Sequence, residues 1–219
     1  LGLLLLPAVA VAQEGPGLRR GHFTIGAAVV RSGGYDVGDA TAQLRGNGPG
    51  ASATPFTLFT AKSRVTPATA PLLRIGFALS RSLALEGSAT FANPRVAVEI
   101  SGDAEAPSQE LPGEKLQQYQ FEAGLTWQLP VLAGRRVATF VGAGGGYLRQ
   151  LHEDRTLAET GQIYHAGVGA RYWLRGGGAS SKALGLRGDV RLNLRRKGID
   201  FEDKMRAYPS LSLSAFIGL

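Results

Sequence analysis

The chain contains no cysteine and a single methionine in 219 residues. Without thiols it can have no disulfide framework, no thiolate metal site and no thiol redox chemistry. Its three histidines, His22, His152 and His165, have no metal-ligand spacing. No metal, cofactor or catalytic residue is therefore expected. Charged residues are only 19%, which is low for a soluble enzyme. Beyond the first dozen residues there is no long apolar run, which excludes a membrane-spanning helix there. Helical periodicity is almost absent as well. Two features stand out in excess: 31 glycines and a net charge of +7. The charge favours an anionic partner or surface without naming one.

The first twelve residues, LGLLLLPAVAVA, join an apolar block to an Ala10-Val11-Ala12 site. They are expected to be the remnant of a secretory signal peptide over residues 1–12, cleaved after Ala12. Residues 13–219 then form one domain. An exported chain without cysteine fits a bacterial envelope.

What the remainder has is strict alternation, the mark of strands with two unlike faces. Eight segments carry it, near 21–31, 71–80, 83–92, 115–129, 136–148, 161–174, 183–195 and 206–219. In the clearest, Tyr119, Phe121, Ala123, Leu125, Trp127 and Leu129 alternate with polar residues and glycine. After Asn93-Pro94, the apolar residues Val96, Val98 and Ile100 fall on shifted parity, and a bulge is expected to restore the face. A long loop is expected over 32–70, holding at most a short hairpin at Phe56–Thr60, and another over 101–114. Eight strands without crossover helices imply up-and-down antiparallel order. Closure into a barrel removes the two reactive edges.

Alternation alone does not distinguish a barrel that is apolar inside from one that is apolar outside. Three features favour a lipid-facing exterior. The polar face mixes both signs of charge with glycine, as an enclosed network needs: Arg74, Glu86, Glu122, Arg171, Arg187, Asp189 and Arg191. Short and long connections alternate. Aromatic residues on the apolar face lie eight positions apart, Tyr119 with Trp127 and Tyr164 with Tyr172. Tilted strands cover about 20 Å of height over that distance, close to an apolar band rimmed by Tyr and Trp. These four and Tyr147 make the expected aromatic girdle.

The segments 72–91, 136–148, 183–194 and 208–219 resemble the small OmpA/OmpX-like bacterial outer-membrane β-barrel proteins. The resemblance implies an all-β fold, an eight-stranded antiparallel up-and-down transmembrane β-barrel in the bacterial outer membrane. It also implies both termini in the periplasm, and barrel-assembly machinery as a partner during insertion.

Two motifs tempt a different reading. Gly142-Ala143-Gly144-Gly145-Gly146 has the look of a dinucleotide loop, but neither the following helix nor a parallel-sheet pattern is present. Arg187-Gly188-Asp189 spells an adhesion tripeptide inside a strand, with both charges turned inward. The best functional patch is basic: Arg195, Arg196, Lys197, Lys204 and Arg206, at the external end of the last two strands. These residues are expected to contact lipopolysaccharide phosphates, because guanidinium groups suit phosphate.

The expected protein is a non-enzymatic monomer with a structural or interaction role: membrane integrity, adhesion, or contact with lipopolysaccharide and outer-membrane lipid. Nucleic acid is not an expected partner. A small-solute pore and a lipid A-modifying enzyme are the alternatives.

Overall fold

The computed structural model describes residues 19–44, 56–103, 107–129, 136–153, 157–175, 182–200 and 204–219. The expected leader, the turn near 130–135 and the tip of the 175–182 turn lie outside these residues. No helix among the described residues is long and apolar enough to cross a membrane, and the crossing elements are strands.

Eight strands close into an antiparallel barrel. They are β1 (Phe23–Ser32), β4 (Ala68–Ala78), β5 (Leu83–Ala92), β8 (Gln117–Leu129), β9 (Val137–Leu151), β10 (Ala158–Arg175), β11 (Ala183–Lys197) and β12 (Arg206–Gly218). These are the eight alternating segments. Each pairs with its neighbour in chain order, and β1 pairs with β12 to close the wall, from Thr24↔Gly218 to Ser32↔Ser210. One turn shows why the chain reverses where it does. Ser80 Oγ accepts the N–H of Ser82 at 3.2 Å and that of Leu83 at 3.0 Å, so the hydroxyl satisfies donors that the sheet leaves free between β4 and β5.

The apolar face is on the outside. Phe23, Ile75, Phe121, Trp127, Val168, Leu192 and Leu213 are all exposed, whereas Arg74, Glu86, Arg171, Arg187 and Asp189 are buried. A soluble barrel would have the opposite polarity. An apolar exterior round a closed barrel suits acyl chains, because neighbouring strands pair their backbone groups with one another and no sheet edge is left open.

The structure corrects the reading of the loops. The stretch expected as one long loop holds β2 (Tyr35–Leu44) and β3 (Phe56–Val65), a far longer hairpin than the one expected at Phe56–Thr60. β6 (Arg95–Ser101) and β7 (Gln109–Lys115) occupy the second long connection. Together they form a separate four-stranded sheet of order β2-β3-β6-β7. That order copies the barrel order β1-β4-β5-β8. Each strand of the sheet continues a barrel strand across a short break at Gly33-Gly34, Thr66-Pro67, Asn93-Pro94 or Leu116. Half of the barrel wall therefore extends past the membrane on the side opposite both termini.

After Asn93-Pro94 the register of β6 with β7 shifts between Val96 and Val98, whereas its register with β3 is continuous, so the shift does not turn the face over. The inward parity of Glu86, Thr90, Ala92 and buried Pro94 runs on to Val96, Val98 and Ile100. What changes is the solvent. Within the bilayer the outward side is apolar. Above it the outward side carries the cross-strand row Asp39, Lys62, Glu99 and Glu110, and the apolar residues turn toward the barrel axis. Water replaces lipid as the outer medium, so the pattern inverts while the backbone geometry does not.

Candidate functional site

All seven residues expected in the interior meet in one network. Asp189 accepts from Arg74 at 3.1 Å, Arg187 at 3.2 Å and Arg191 at 2.7 Å. It also accepts the Ser212 hydroxyl at 2.8 Å. Glu86 takes Arg171 at 2.6 Å and Arg187 at 2.5 Å. Glu122 lies 3.9 Å from Arg191 and 2.6 Å from His165 Nδ1. Sequence reasoning had left His165 without a role, although its parity on β10 matches that of Arg171. Glycines of β10 make the room. A Cβ on Gly167 would stand 2.8 Å from Arg191 Cγ, and one on Gly169 would stand 2.8 Å from Asp189 Cβ.

Other layers fill the lumen above and below the charges. Toward the periplasmic end, Trp173 meets Phe216 edge-on at 5.8 Å, beside Ala138. Phe140 lies under the guanidinium groups of Arg187, at 4.1 Å, and Arg171, at 4.9 Å. Toward the outside, Gln120 bonds Tyr208, and Asn193 donates to Ser210 Oγ at 2.9 Å. Between these layers the voids round Arg74, Asp189 and Arg191 hold about 20 Å³ each, room for little more than a water molecule.

The outer mouth is closed by Arg195, which is 1% exposed. Its guanidinium donates to Gln150 Oε1 at 2.8 Å, Ile199 O at 2.8 Å and Lys197 O at 3.0 Å. It also donates to the Tyr35 hydroxyl and stacks on that ring. The left-handed residues Lys197 (φ 64) and Gly198 (φ 81) bend the chain back so that these carbonyls face the guanidinium. Val37, Leu116, Leu148, Ile163 and Ile199 are buried, closing the mouth with an apolar layer.

This arrangement corrects the expected lipopolysaccharide patch. Arg195 shares the inward parity of Arg187, Asp189 and Arg191, so it is a lumen residue and does not reach lipid. Arg206 also has inward parity and is held by Asp200 through two contacts, at 3.0 and 3.2 Å. Arg196, Lys197 and Lys204 are exposed. On the charged side of the outer sheet, Arg64 pairs with Glu110 at 3.0 Å. That hydrogen bond, and then the charge of Glu110, hold the Arg64 guanidinium above its usual pKa.

The five expected girdle residues all have outward parity. Trp127, Tyr147, Tyr164 and Tyr172 are exposed, and Tyr119 is half-buried against Phe91 at 5.0 Å. By register, Trp127 and Tyr172 stand toward the periplasmic turns, and Tyr119, Tyr147 and Tyr164 toward the outer loops. Phe23 and Phe77, 4.8 Å apart, add to the periplasmic side and were not anticipated. The glycine run 142–146 lies mid-strand in β9, and Arg187 and Asp189 of the tripeptide face the lumen.

The sequence matches no protein family and no curated protein. Solved structures do resemble the fold. Neisserial surface protein A (NspA) is 12% identical, with 90% of this chain and 96% of that chain covered and a TM-score of 0.50. OprG of Pseudomonas aeruginosa is 13% identical over 93% of this chain and 97% of that one, with a TM-score of 0.47. Ail of Yersinia pestis is 12% identical over 91% and 99%, with a TM-score of 0.43. The likeness to neisserial surface protein A shows the fold. This chain has the architecture of a small bacterial outer-membrane barrel, and its apolar exterior is built for that membrane.

Proposed function

We propose that this protein is a non-conducting outer-membrane barrel whose work is done at the cell surface. In this reading the barrel anchors the outer sheet, which presents charged side chains above the bilayer for contact with other surface molecules. The observation that carries it is the filled lumen: among the described residues aromatic, ionic, amide and apolar layers succeed one another from Trp173 to Ile199, and the voids round Arg74, Asp189 and Arg191 have room for little more than a water molecule. An eight-stranded barrel so packed favours a scaffold over a conduit. The role is structural or interactive and not catalytic, and the protein acts as a monomer in contact with outer-leaflet lipid.

Planar-bilayer recording of the purified protein tests this. A flat current trace is expected. Discrete openings that scale with salt would favour the small-solute pore instead. A lipid A profile that differs between cells with and without the protein would favour an enzyme.

A further inference from the structure

A cluster on the outer wall, separate from the basic patch at the ends of β11 and β12, has the chemistry of a lipid-phosphate seat. Arg95 and Lys115 stand directly opposite each other at the first rung of the β6–β7 pair. Both are exposed, and neither forms a side-chain ion pair among the described residues. Like charges in directly opposed positions repel, so this rung is unfavourable unless an anion joins them. Two carboxylates stand nearby and are otherwise engaged: Glu153 accepts the backbone N–H of Lys115 at 3.5 Å, and Glu114 takes the Glu153 N–H at 3.0 Å and lies 2.9 Å from His152 Nδ1.

The surroundings point to the kind of anion. Four residue pairs closer to the membrane, Phe91 faces Tyr119 on the outward side, with ring centroids 5.0 Å apart. Arg149 is the register partner of Tyr119 on the next strand and is exposed. Below them the wall is acyl-facing: Ala89 beside Phe121, which pairs with Tyr147, and then Leu85 beside Leu125. From the bilayer outward the surface therefore passes from aliphatic residues to an aromatic level flanked by Arg149, and then to Arg95 and Lys115. A phosphorylated lipid has the matching sequence of chain, ester or sugar, and phosphate. A freely soluble anion would have no use for the apolar approach.

We propose that Arg95, Lys115 and Arg149 bind the phosphate of an outer-leaflet lipid whose chains lie against β5, β8 and β9. This rests on the exterior being lipid-facing and deepens that reading by naming the ligand and its position. Arginine offers paired donors for phosphate and lysine a point charge, and both lie at the headgroup level.

The test uses the full protein refolded into nanodiscs of phosphatidylcholine containing bisphosphorylated lipid A, or the same lipid stripped of its phosphates. Native mass spectrometry reads the lipid retained on release. The protein should keep bisphosphorylated lipid A and lose the stripped form. The triple variant Arg95→Gln, Lys115→Gln, Arg149→Gln should retain it about tenfold less. Arg81→Gln, at the opposite rim, should retain it fully. Equal retention by the triple variant, equal retention of the stripped lipid, or displacement by inorganic phosphate at matched concentration overturns the assignment. A heat-dependent gel shift reports barrel formation separately. Its absence in the parent protein would sink the lipid-facing reading and this site with it. If the triple variant alone lacks the shift, the three single variants are read instead, and unchanged retention in all of them overturns the site.

Discussion

The guanidinium of Arg195 reaches the Tyr35 hydroxyl across 160 positions of sequence. This contact fastens the outer hairpin to the barrel mouth. Arg195→Ala would take the side-chain donor from Ile199 O and Lys197 O, while Gln150 Oε1 keeps the Ile199 N–H at 3.1 Å and the Tyr35 hydroxyl keeps Gln150 Nε2 at 3.5 Å. Each unsatisfied group costs about 1–3 kcal/mol. The expected outcome is faster backbone amide exchange over Tyr35–Leu44 and Phe56–Val65, with exchange in β9 to β11 little changed. Uniform exchange across the protein would mean that the hairpin is held from elsewhere.

Asp189 is the hub of the interior. Its loss would take the carboxylate from Arg74, leave Arg191 with the more distant Glu122 and leave Arg187 with Glu86 alone, so that three cations crowd a desolvated space. Removing one partner of a buried ionic group costs about 3–5 kcal/mol. Asp189→Asn should therefore destabilise more than Glu122→Gln, because Glu122 has only His165 and a distant Arg191. Urea unfolding in phospholipid vesicles ranks the two, and the reverse order would displace Asp189 from the centre of the network.

The lipid-facing wall can be tested at one position. Leu192 is 54% exposed on the outer surface, and its neighbour Asn193 is buried and bonded to Ser210. Leu192→Arg should cost about 2–4 kcal/mol, the depth-dependent penalty for a charge facing acyl chains. Lys62→Leu, on the outward side of the sheet above the bilayer, should cost almost nothing by the same unfolding measurement. Equal effects would place both residues in one solvent.

The eight barrel strands were legible because lipid imposes a strict period-2 contrast on each of them. The outer sheet was not. β2 reads YDVGDATAQL, with small residues where large ones would mark a face. β6 is visible in the sequence, but its inverted polarity is not, since a sequence shows alternation and not which solvent each side meets. The burial of Arg195 was readable. Its parity follows Arg187, Asp189 and Arg191, and proximity to Arg196 and Lys197 obscured that. The cation pair of Arg95 and Lys115 could not be found from the sequence, because the register that opposes them depends on β7 forming at all.

The two plugs of the lumen carry the last prediction. At the periplasmic end Trp173 and Phe216 fill the section beside Ala138, and at the outer end Arg195 closes the mouth. Trp173→Ala deletes a large ring from a packed layer, at a cost of about 3–5 kcal/mol, and leaves the outer closure intact. Arg195→Ala leaves the inner plug. Either alone should stay electrically silent in a planar bilayer. The double variant removes material from both ends and leaves the ionic layer, with its water-sized voids, between them. It should show small openings. Openings in either single variant would mean that one plug alone closes the barrel. Silence in the double variant would mean that the ionic layer at Asp189 and Glu86 is itself the seal.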